Sequence, residues 1–99
     1  MIRTRYLVAY DIRDSRRLRD VHKGCKMFGE PLQYSVFICD LDQGEKVSME
    51  ITLGEALNHR EDSVVIVNLG EPAGRGKECF EFLGVRAHSM LPKSGPVIL

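Results

Sequence analysis

Residues 6–10 are uncharged and largely apolar, and they run without interruption into a carboxylate at Asp11. In an extended strand successive side chains point to opposite faces, so both faces of this segment are apolar. A strand of that kind needs a cover on each side. The sequence therefore predicts a first strand over residues 5–11 that is buried on both faces and ends at an acidic residue. Four arginines follow within about two helical turns: Arg13, Arg16, Arg17 and Arg19.

Charge is distributed unevenly along the chain, although the formal net charge is zero. Residues 1–26 contain eight basic and three acidic residues, whereas residues 40–62 contain two basic and seven acidic residues. A basic half of this kind attracts a polyanion such as nucleic acid. Solvated helix faces give the same pattern, so both interpretations stay open from charge alone. An aspartate at a strand end beside arginines adds a third element, since it can hold a hard metal ion next to phosphates.

Length and composition indicate one small domain with a real core, because the chain has 99 residues and is 43% hydrophobic. Its three cysteines, Cys25, Cys39 and Cys79, have neither zinc-ligand spacing nor the even number of a disulfide framework. They are predicted to be small hydrophobic residues in a reducing compartment. The sequence shows no signal peptide and no apolar run near the roughly 20 residues of a membrane span. A cytoplasmic protein without membrane contact is therefore predicted.

A helix is predicted after the first strand, with Asp14 or Ser15 as its N-cap and Gly29 at its end. Apolar residues recur along it at spacings of three, four and three, which gives one inward stripe. The stripe consists of Leu18, Val21, Cys25 and Phe28. His22 is predicted to be a surface residue. Close packing is the expected reason for Gly24 in this helix and for Gly54 in the next one.

The second half of the chain is predicted to contain a strand, a helix and two further strands. Residues 32–41 have the composition of a single strand, and Asp42 with Glu45 resembles a capping box. The helix that this box begins is expected to end near residue 58. Its predicted inward residues are Val47, Ile51, Gly54 and Leu57. The remaining predictions are a strand over 63–69, a loop over 70–76, a short strand over 79–83 and an irregular segment over 84–95.

The resulting order of elements places two helices against one face of a small sheet, as in ferredoxin-like α+β folds. The central strands are apolar on both faces, so the second face needs a partner. The simplest partner is another copy of the chain, which predicts a homodimer packed sheet to sheet. The apolar residues 97–99 are expected to add a strand to an open sheet edge of that dimer or of another protein.

Four segments, in order and with suitable spacing, resemble the signatures of one known family. They are Tyr-Asp-Ile at residues 10–12 with Asp14, Arg17, Leu18 and Val21; Gln-Tyr-Ser-Val-Phe at 33–37; Glu-Asp-Ser-Val at 61–64 with Ile66; and Phe-Glu-Phe-Leu-Gly at 80–84. The set covers most of residues 6–84 and is similar to the CRISPR-associated Cas-two proteins. No single segment is decisive, and the ordered combination carries the resemblance.

The resemblance implies an α+β, ferredoxin-like (βαββαβ) sandwich with two helices on one face of a small antiparallel sheet. It implies dimerisation through the other face. It also implies that residues 32–41 form a hairpin that turns near Tyr34-Ser35. The ferredoxin-like domain is expected to span residues 1–84. Residues 85–99 are expected to form a C-terminal extension, ending in a short apolar strand used for dimer or partner docking.

In function, the resemblance implies a CRISPR adaptation protein. Family members are metal-dependent endonucleases that act on RNA or duplex DNA, and they form the central dimer that bridges the CRISPR integrase during spacer acquisition. The implied partners are therefore a second copy, the integrase, duplex DNA and single-stranded RNA, and the implied cofactor is Mg²⁺ or another divalent cation. A general base is not evident in the sequence. A non-catalytic structural nucleic-acid-binding module, and a regulatory module for a small ligand, stay open as alternatives.

The resemblance assigns metal binding and catalysis to Asp11, which as a residue at a strand end is also a candidate N-cap or turn residue. Arg16, Arg17 and Arg19 are the predicted phosphate ligands, since a guanidinium group binds phosphate through two donors. Their alternative role is a solvated helix face. The predicted supporting residues are Tyr10, Ser35 and Phe37, with core packing as the alternative for the two aromatic rings.

Overall fold

The computed structural model describes residues 2–84. Within this range the chain forms four strands, two long helices and one short helix. They are β1 (Thr4–Asp11), α1 (Ser15–Phe28), β2 (Glu30–Gln33), β3 (Val36–Leu41), α2 (Gln43–Ala56), β4 (Ser63–Gly70) and α3 (Arg75–Glu78). None of the helices between residues 2 and 84 has the length and apolar character needed to cross a membrane.

The strands form one antiparallel sheet in the order β2-β3-β1-β4, so β1 is central between β3 and β4. Helices α1 and α2 both pack on the same face of this sheet, where their apolar stripes meet alternate residues of the strands. The most deeply buried members of that core are Val8, Val21, Cys25, Phe37, Cys39 and Met49. The predicted α+β ferredoxin-like fold, with two helices on one face, is confirmed.

Both long helices begin at the predicted aspartates. Asp14 accepts hydrogen bonds from the backbone N–H groups of Arg16 (3.1 Å) and Arg17 (3.0 Å), and so caps α1. Asp42 accepts from the N–H of Glu45 (2.8 Å) while the Glu45 carboxylate accepts from the N–H of Asp42 (2.9 Å). The second pair is the predicted capping box, and each cap satisfies backbone donors that the helix itself leaves unpaired.

Two glycines permit close approach between elements. A Cβ at Gly24 would lie 3.0 Å from Cδ2 of Leu53, so α1 and α2 touch there, as predicted. A Cβ at Gly29 would collide with the backbone carbonyl of Ile38, and therefore only glycine lets the end of α1 lie against β3. A Cβ at Gly54 would meet nothing within 4 Å, so the close packing predicted for that residue is absent.

Residues 32–41 do not form the single strand that their composition predicts. The chain reverses at Tyr34-Ser35, between β2 and β3, and Gln33 pairs with Val36 across the turn. A continuous run of β-forming residues is typical of one strand and of two short paired strands, so composition alone could not separate them. The hairpin implied by the family resemblance is confirmed.

The predicted inward stripe of α2 is wrong at Val47 and Ile51, whereas Leu57, at the C-cap, packs against the core as predicted. Val47 and Ile51 are 48% and 57% exposed, whereas Met49 and Leu53 are buried. The helix contains two apolar i, i+4 pairs on different sides, and the pair that continues into the core at Ala56 is the buried one. The helix also ends two residues before the predicted boundary, at Ala56.

The predicted strand over residues 79–83 is also wrong. The chain instead forms α3 inside and just beyond the predicted loop, and the one bridge residue of the segment 79–83 is Phe82. Three glycines and a proline between residues 70 and 76 are typical of a loop, so the sequence pattern did not indicate a helix of a single turn. The predictions for residues 85–99, including the apolar segment 97–99, lie outside the described residues.

Candidate nucleic-acid and metal site

The sheet face opposite the helices is apolar at its centre. Directly paired residues of neighbouring strands share a face, and the pairs on this side are Leu7 with Ile38 and Val67, and Ala9 with Val36 and Val65. Val65 is 54% exposed and Val67 is 41% exposed. We call these six residues the open face, of which Ile38 is buried, with 6% exposure, and the two valines of β4 are the most exposed. It is the side of the sheet on which β1 presents Asp11.

Asp11 is the last residue of β1 and pairs with Ser63 of β4. Its side chain is 70% exposed, and the nearest cation is Arg13, whose Nη2 lies 3.9 Å from Oδ2 of Asp11. Because Asp14 caps α1, Asp11 is not the N-cap of that helix. Asp11 therefore lies at the rim of the open face with its carboxylate accessible. The sequence alone did not distinguish this position from that of a helix N-cap.

A metal ion would find one carboxylate from each chain at this position. Residues 2–84 contain no group of three or more His, Cys, Asp or Glu side chains placed to hold a metal. Asp14 is engaged in the cap of α1, where its Oδ2 accepts from two backbone N–H groups, and the N–H of Arg17 holds the pKa of the Asp14 carboxyl below its usual value. Mg²⁺ prefers oxygen ligands and keeps several waters, so Asp11 fits as a partial ligand set. The set gains a second carboxylate only if another copy supplies its own Asp11.

Arg17 lies in a structural ion pair. Its Nε donates to Oδ2 of Asp62 at 2.7 Å, and its Nη2 donates to Oε1 of Glu61 at 2.9 Å. The Asp62 side chain is fully buried and also accepts hydrogen bonds from the backbone N–H groups of Arg13 and Asn58. These hydrogen bonds, with the one from Arg17 the strongest influence, hold the pKa of Asp62 well below its usual range.

This ion pair distinguishes Arg17 from the other two predicted phosphate ligands. Arg17 joins the start of α1 to the turn before β4, and its Nε and Nη2 both donate to carboxylates. Arg16 and Arg19 are exposed and make no ion pair within residues 2–84. Asp62 is the site residue that the sequence reasoning missed, and its signal was the Glu-Asp pair of the third family segment.

Two of the three predicted supporting residues, Tyr10 and Phe37, lie in the helix-covered core, and Ser35 lies in the turn between β2 and β3. Phe37 is fully buried, and its ring stacks on that of Tyr10 with 6.3 Å between the ring centroids. The Tyr10 N–H donates to the Ser35 carbonyl at 3.1 Å, and its hydroxyl lies 2.8 Å from Nδ1 of His22. Burial raises the pKa of Tyr10 to about 12. These contacts fix the backbone that precedes Asp11, and the rings of Tyr10 and Phe37 lie in the core, on the face opposite Asp11.

The opposite end of the open face is closed by Arg5, another residue that sequence reasoning missed. Its guanidinium is buried and donates to both carboxylate oxygens of Asp40, at 2.8 and 2.9 Å, and to the Gly76 carbonyl at 2.9 Å. The hydrogen bond to Asp40 raises the pKa of Arg5. A charge inside an apolar strand is the signal that could have indicated this anchor.

Comparison with known proteins shows the family and the fold of the chain. Residues 4–74 match the family model of CRISPR associated protein Cas2. The chain belongs to the Cas2 family. The resemblance derived from the four sequence segments is therefore confirmed, and the matched range contains Asp11, the arginines of α1 and the whole sheet.

Curated members of the Cas2 family are similar over most of the chain. The CRISPR-associated endoribonuclease Cas2 of Geobacter sulfurreducens is 48% identical over 65 residues, which cover 66% of this chain and 68% of that protein. The CRISPR-associated endoribonuclease Cas2 1 of Rhodospirillum rubrum is 38% identical over 93 residues, which cover 94% and 89%. A relative from Halalkalibacterium halodurans bears the name CRISPR-associated endonuclease Cas2.

Solved structures support the same fold. The structure of Streptococcus pyogenes Cas2 matches with a TM-score of 0.62 and 32% identity, over 67% of this chain and 86% of that one. A hypothetical protein from Thermus thermophilus matches with a TM-score of 0.67 and 31% identity, over 69% and 83%. Both likenesses extend over the ferredoxin-like core of this Cas2 family member.

Proposed function

We propose that the chain is a CRISPR adaptation protein that acts as a homodimer. In this proposal the dimer binds duplex DNA and bridges the CRISPR integrase during spacer acquisition, in the cytoplasm. It also cleaves phosphodiester bonds of RNA or DNA with a divalent metal at Asp11. The names of the curated relatives, endoribonuclease and endonuclease, support the cleavage activity.

The observation that carries the proposal is the position of Asp11 at the rim of an exposed apolar face. Val65 and Val67 leave apolar surface in water, and burial of such surface gives about 25 cal/mol per Å². A second copy can cover this face with the same face of its own, because a two-fold contact joins the same patch of both chains. The same two-fold contact is the means by which two Asp11 carboxylates become available to one ion.

Each residue of the site has a defined part in this mechanism. Asp11 holds the metal, and the pairing of β1 with β4 fixes the backbone from which it projects. A bound Mg²⁺ would supply Lewis-acid activation of the phosphodiester and of an attacking water. Arg16 and Arg19 hold backbone phosphates, while Arg17 keeps the start of α1 in place through Asp62.

Cleavage is tested by Asp11→Asn, assayed on RNA and on duplex DNA with Mg²⁺. The expected result is a loss of at least about 100-fold, since the variant removes the one carboxylate that each chain offers to the metal. Asp20→Asn is the matched control, because Asp20 is an exposed aspartate of α1 that makes no ion pair within residues 2–84. It should cleave like the wild type. Equal cleavage by wild type and Asp11→Asn would contradict the assignment.

Nucleic-acid binding is tested separately by the salt dependence of affinity. Each phosphate contact contributes about −0.9 to the slope of log affinity against log salt for duplex DNA. Replacement of Arg16 or Arg19 by Gln should reduce the slope by roughly one per lost contact. Lys46→Gln is the control, because Lys46 lies on α2 in an ion pair with Glu50.

A second candidate function is a structural bridge without catalysis. It is favoured by the small ligand set, because residues 2–84 contain no group of three or more His, Cys, Asp or Glu side chains placed to hold a metal. In that case Asp11→Asn leaves spacer acquisition intact. Deletion of residues 95–99, the predicted docking segment, abolishes co-purification with the integrase and leaves the dimer folded. Acquisition that survives the deletion and fails in Asp11→Asn would support catalysis over bridging.

A further inference from the structure

A cavity of about 290 Å³ lies on the helix-covered side of the molecule, beside α1 and the β2–β3 turn. It is separate from the rim of Asp11, because Tyr10 and Asp11 are successive residues of β1 and face opposite sides of the sheet. Its lining is mostly apolar. The lining residues are Tyr10, Leu18, Arg19, His22, Lys23 and Tyr34. We call this cavity the aromatic pocket.

The inner wall of the aromatic pocket is held rigidly by Tyr10 and His22. The Tyr10 hydroxyl lies 2.8 Å from Nδ1 of His22, and the His22 ring meets the buried Phe37 edge-on, with 5.3 Å between centroids. In the tautomer in which Tyr10 donates to Nδ1, the proton of His22 is on Nε2. That Nε2–H makes no hydrogen bond within residues 2–84, so it is an available donor beside an apolar wall.

The outer part of the aromatic pocket combines an exposed ring with two cations. Tyr34 is 86% exposed, although a tyrosine ring normally gains free energy by covering apolar area. Arg19 and Lys23 are one helical turn apart on α1, and neither makes an ion pair within residues 2–84. None of the residues between 2 and 84 that line the pocket is acidic. The ligand that complements it is therefore a flat aromatic group that carries negative charge.

We propose that the aromatic pocket binds one unstacked nucleobase from a single-stranded end or stretch of the nucleic acid, with its phosphate held by Arg19 and Lys23. The inference rests on the proposed function, since it adds a single-strand site to a protein that binds duplex. The volume is at the lower limit of the roughly 300–1,000 Å³ of small-molecule sites, which suits one nucleotide. Stacking on Tyr34 accepts any base, because every base has a π-face.

The test compares a blunt duplex with the same duplex carrying a short single-stranded overhang, by fluorescence anisotropy. Wild type should bind the overhang substrate more tightly. Tyr34→Ala should lose about 5- to 150-fold of affinity for the overhang substrate, the range that corresponds to one lost base–aromatic stack. Its affinity for the blunt duplex should not change. Tyr34→Phe keeps the ring and should retain the preference.

Met27→Ala is the matched control, because Met27 is a 72% exposed apolar residue of α1 outside the aromatic pocket. It should behave like the wild type on both substrates. Equal wild-type affinities for blunt and overhang substrates would overturn the pocket while leaving duplex binding intact. Absence of binding to either substrate would overturn the proposed function and the pocket with it. Competition by adenosine monophosphate as strong as competition by the oligonucleotide would overturn the single-strand assignment in favour of a free nucleotide.

Discussion

The two faces of the sheet are both apolar in sequence and differ in how they are covered. On the helix side Val8, Phe37 and Cys39 are fully buried beneath α1 and α2. On the open face Val65 and Val67 remain about half exposed, although they alternate with residues of similar character along the same strand. Within residues 2–84, the helices thus cover one of the two apolar faces of the sheet.

This difference separates the stability of the fold from its assembly. The contacts that hold one chain folded lie on the helix-covered face. Substitutions that remove them should therefore unfold the domain. The open face leaves apolar surface that one chain does not bury. Substitutions that remove this apolar surface should therefore affect association. Asp11 lies at the border of the second face, so the proposed chemistry depends on assembly more than on the core.

The largest effect is expected at the covered face. Phe37→Ala should lower the free energy of unfolding by about 3–5 kcal/mol, because it removes a fully buried ring and leaves a cavity. Val65→Ala should change it by about 0.5 kcal/mol or less when the protein is dilute enough to sediment as a monomer. Urea unfolding followed by circular dichroism measures both. Similar losses for the two variants would erase the distinction between the faces.

The next effect concerns the open face directly. Val65→Asp should weaken dimer formation by about 30-fold or more, because association would desolvate a carboxylate against apolar side chains. Val47→Asp is the matched control, since Val47 of α2 has almost the same exposure, 48% against 54%, on the other side of the molecule. Analytical ultracentrifugation should show dimers for wild type and Val47→Asp. A Val65→Asp variant that dimerises normally would place the dimer contact elsewhere.

Much of the fold could be predicted from local signals. Asp14, Asp42 and Gly29 mark helix boundaries through backbone hydrogen bonds and close packing that involve few residues, and such signals survive in the sequence. The buried stripe of α2 could not be predicted in the same way. Val47 and Ile51 have the same spacing as Met49 and Leu53, and only the position of α1 decides which pair is buried.

The candidate site divides along the same line. The sequence indicates a carboxylate at a strand end and arginines at a helix start, because both follow from order along the chain. It does not indicate that Asp62, 45 residues after Arg17, takes up that arginine. Nor does it place Tyr34 beside Tyr10 and His22, since that proximity requires the hairpin and α1 to meet in three dimensions.

The smallest effect concerns the edge of the covered face, where Arg17 ties α1 to Asp62. The folded-state pKa of Asp62 is lowered, so its contribution to stability is present above the ordinary aspartate pKa of about 3.9 and is lost as pH falls through the folded-state value. Wild type should therefore lose melting temperature on acidification below about pH 5.

Arg17→Gln should melt roughly 5 °C lower at pH 7 and should lose less on acidification, because part of the preference for ionised Asp62 is already gone. The remaining part persists through the backbone N–H groups of Arg13 and Asn58. Arg16→Gln, at an exposed arginine without an ion pair within residues 2–84, should follow the wild-type curve. If melting temperature falls with pH along the same curve for Arg17→Gln and wild type, Arg17 does not stabilise the turn before β4 and is free to bind phosphate.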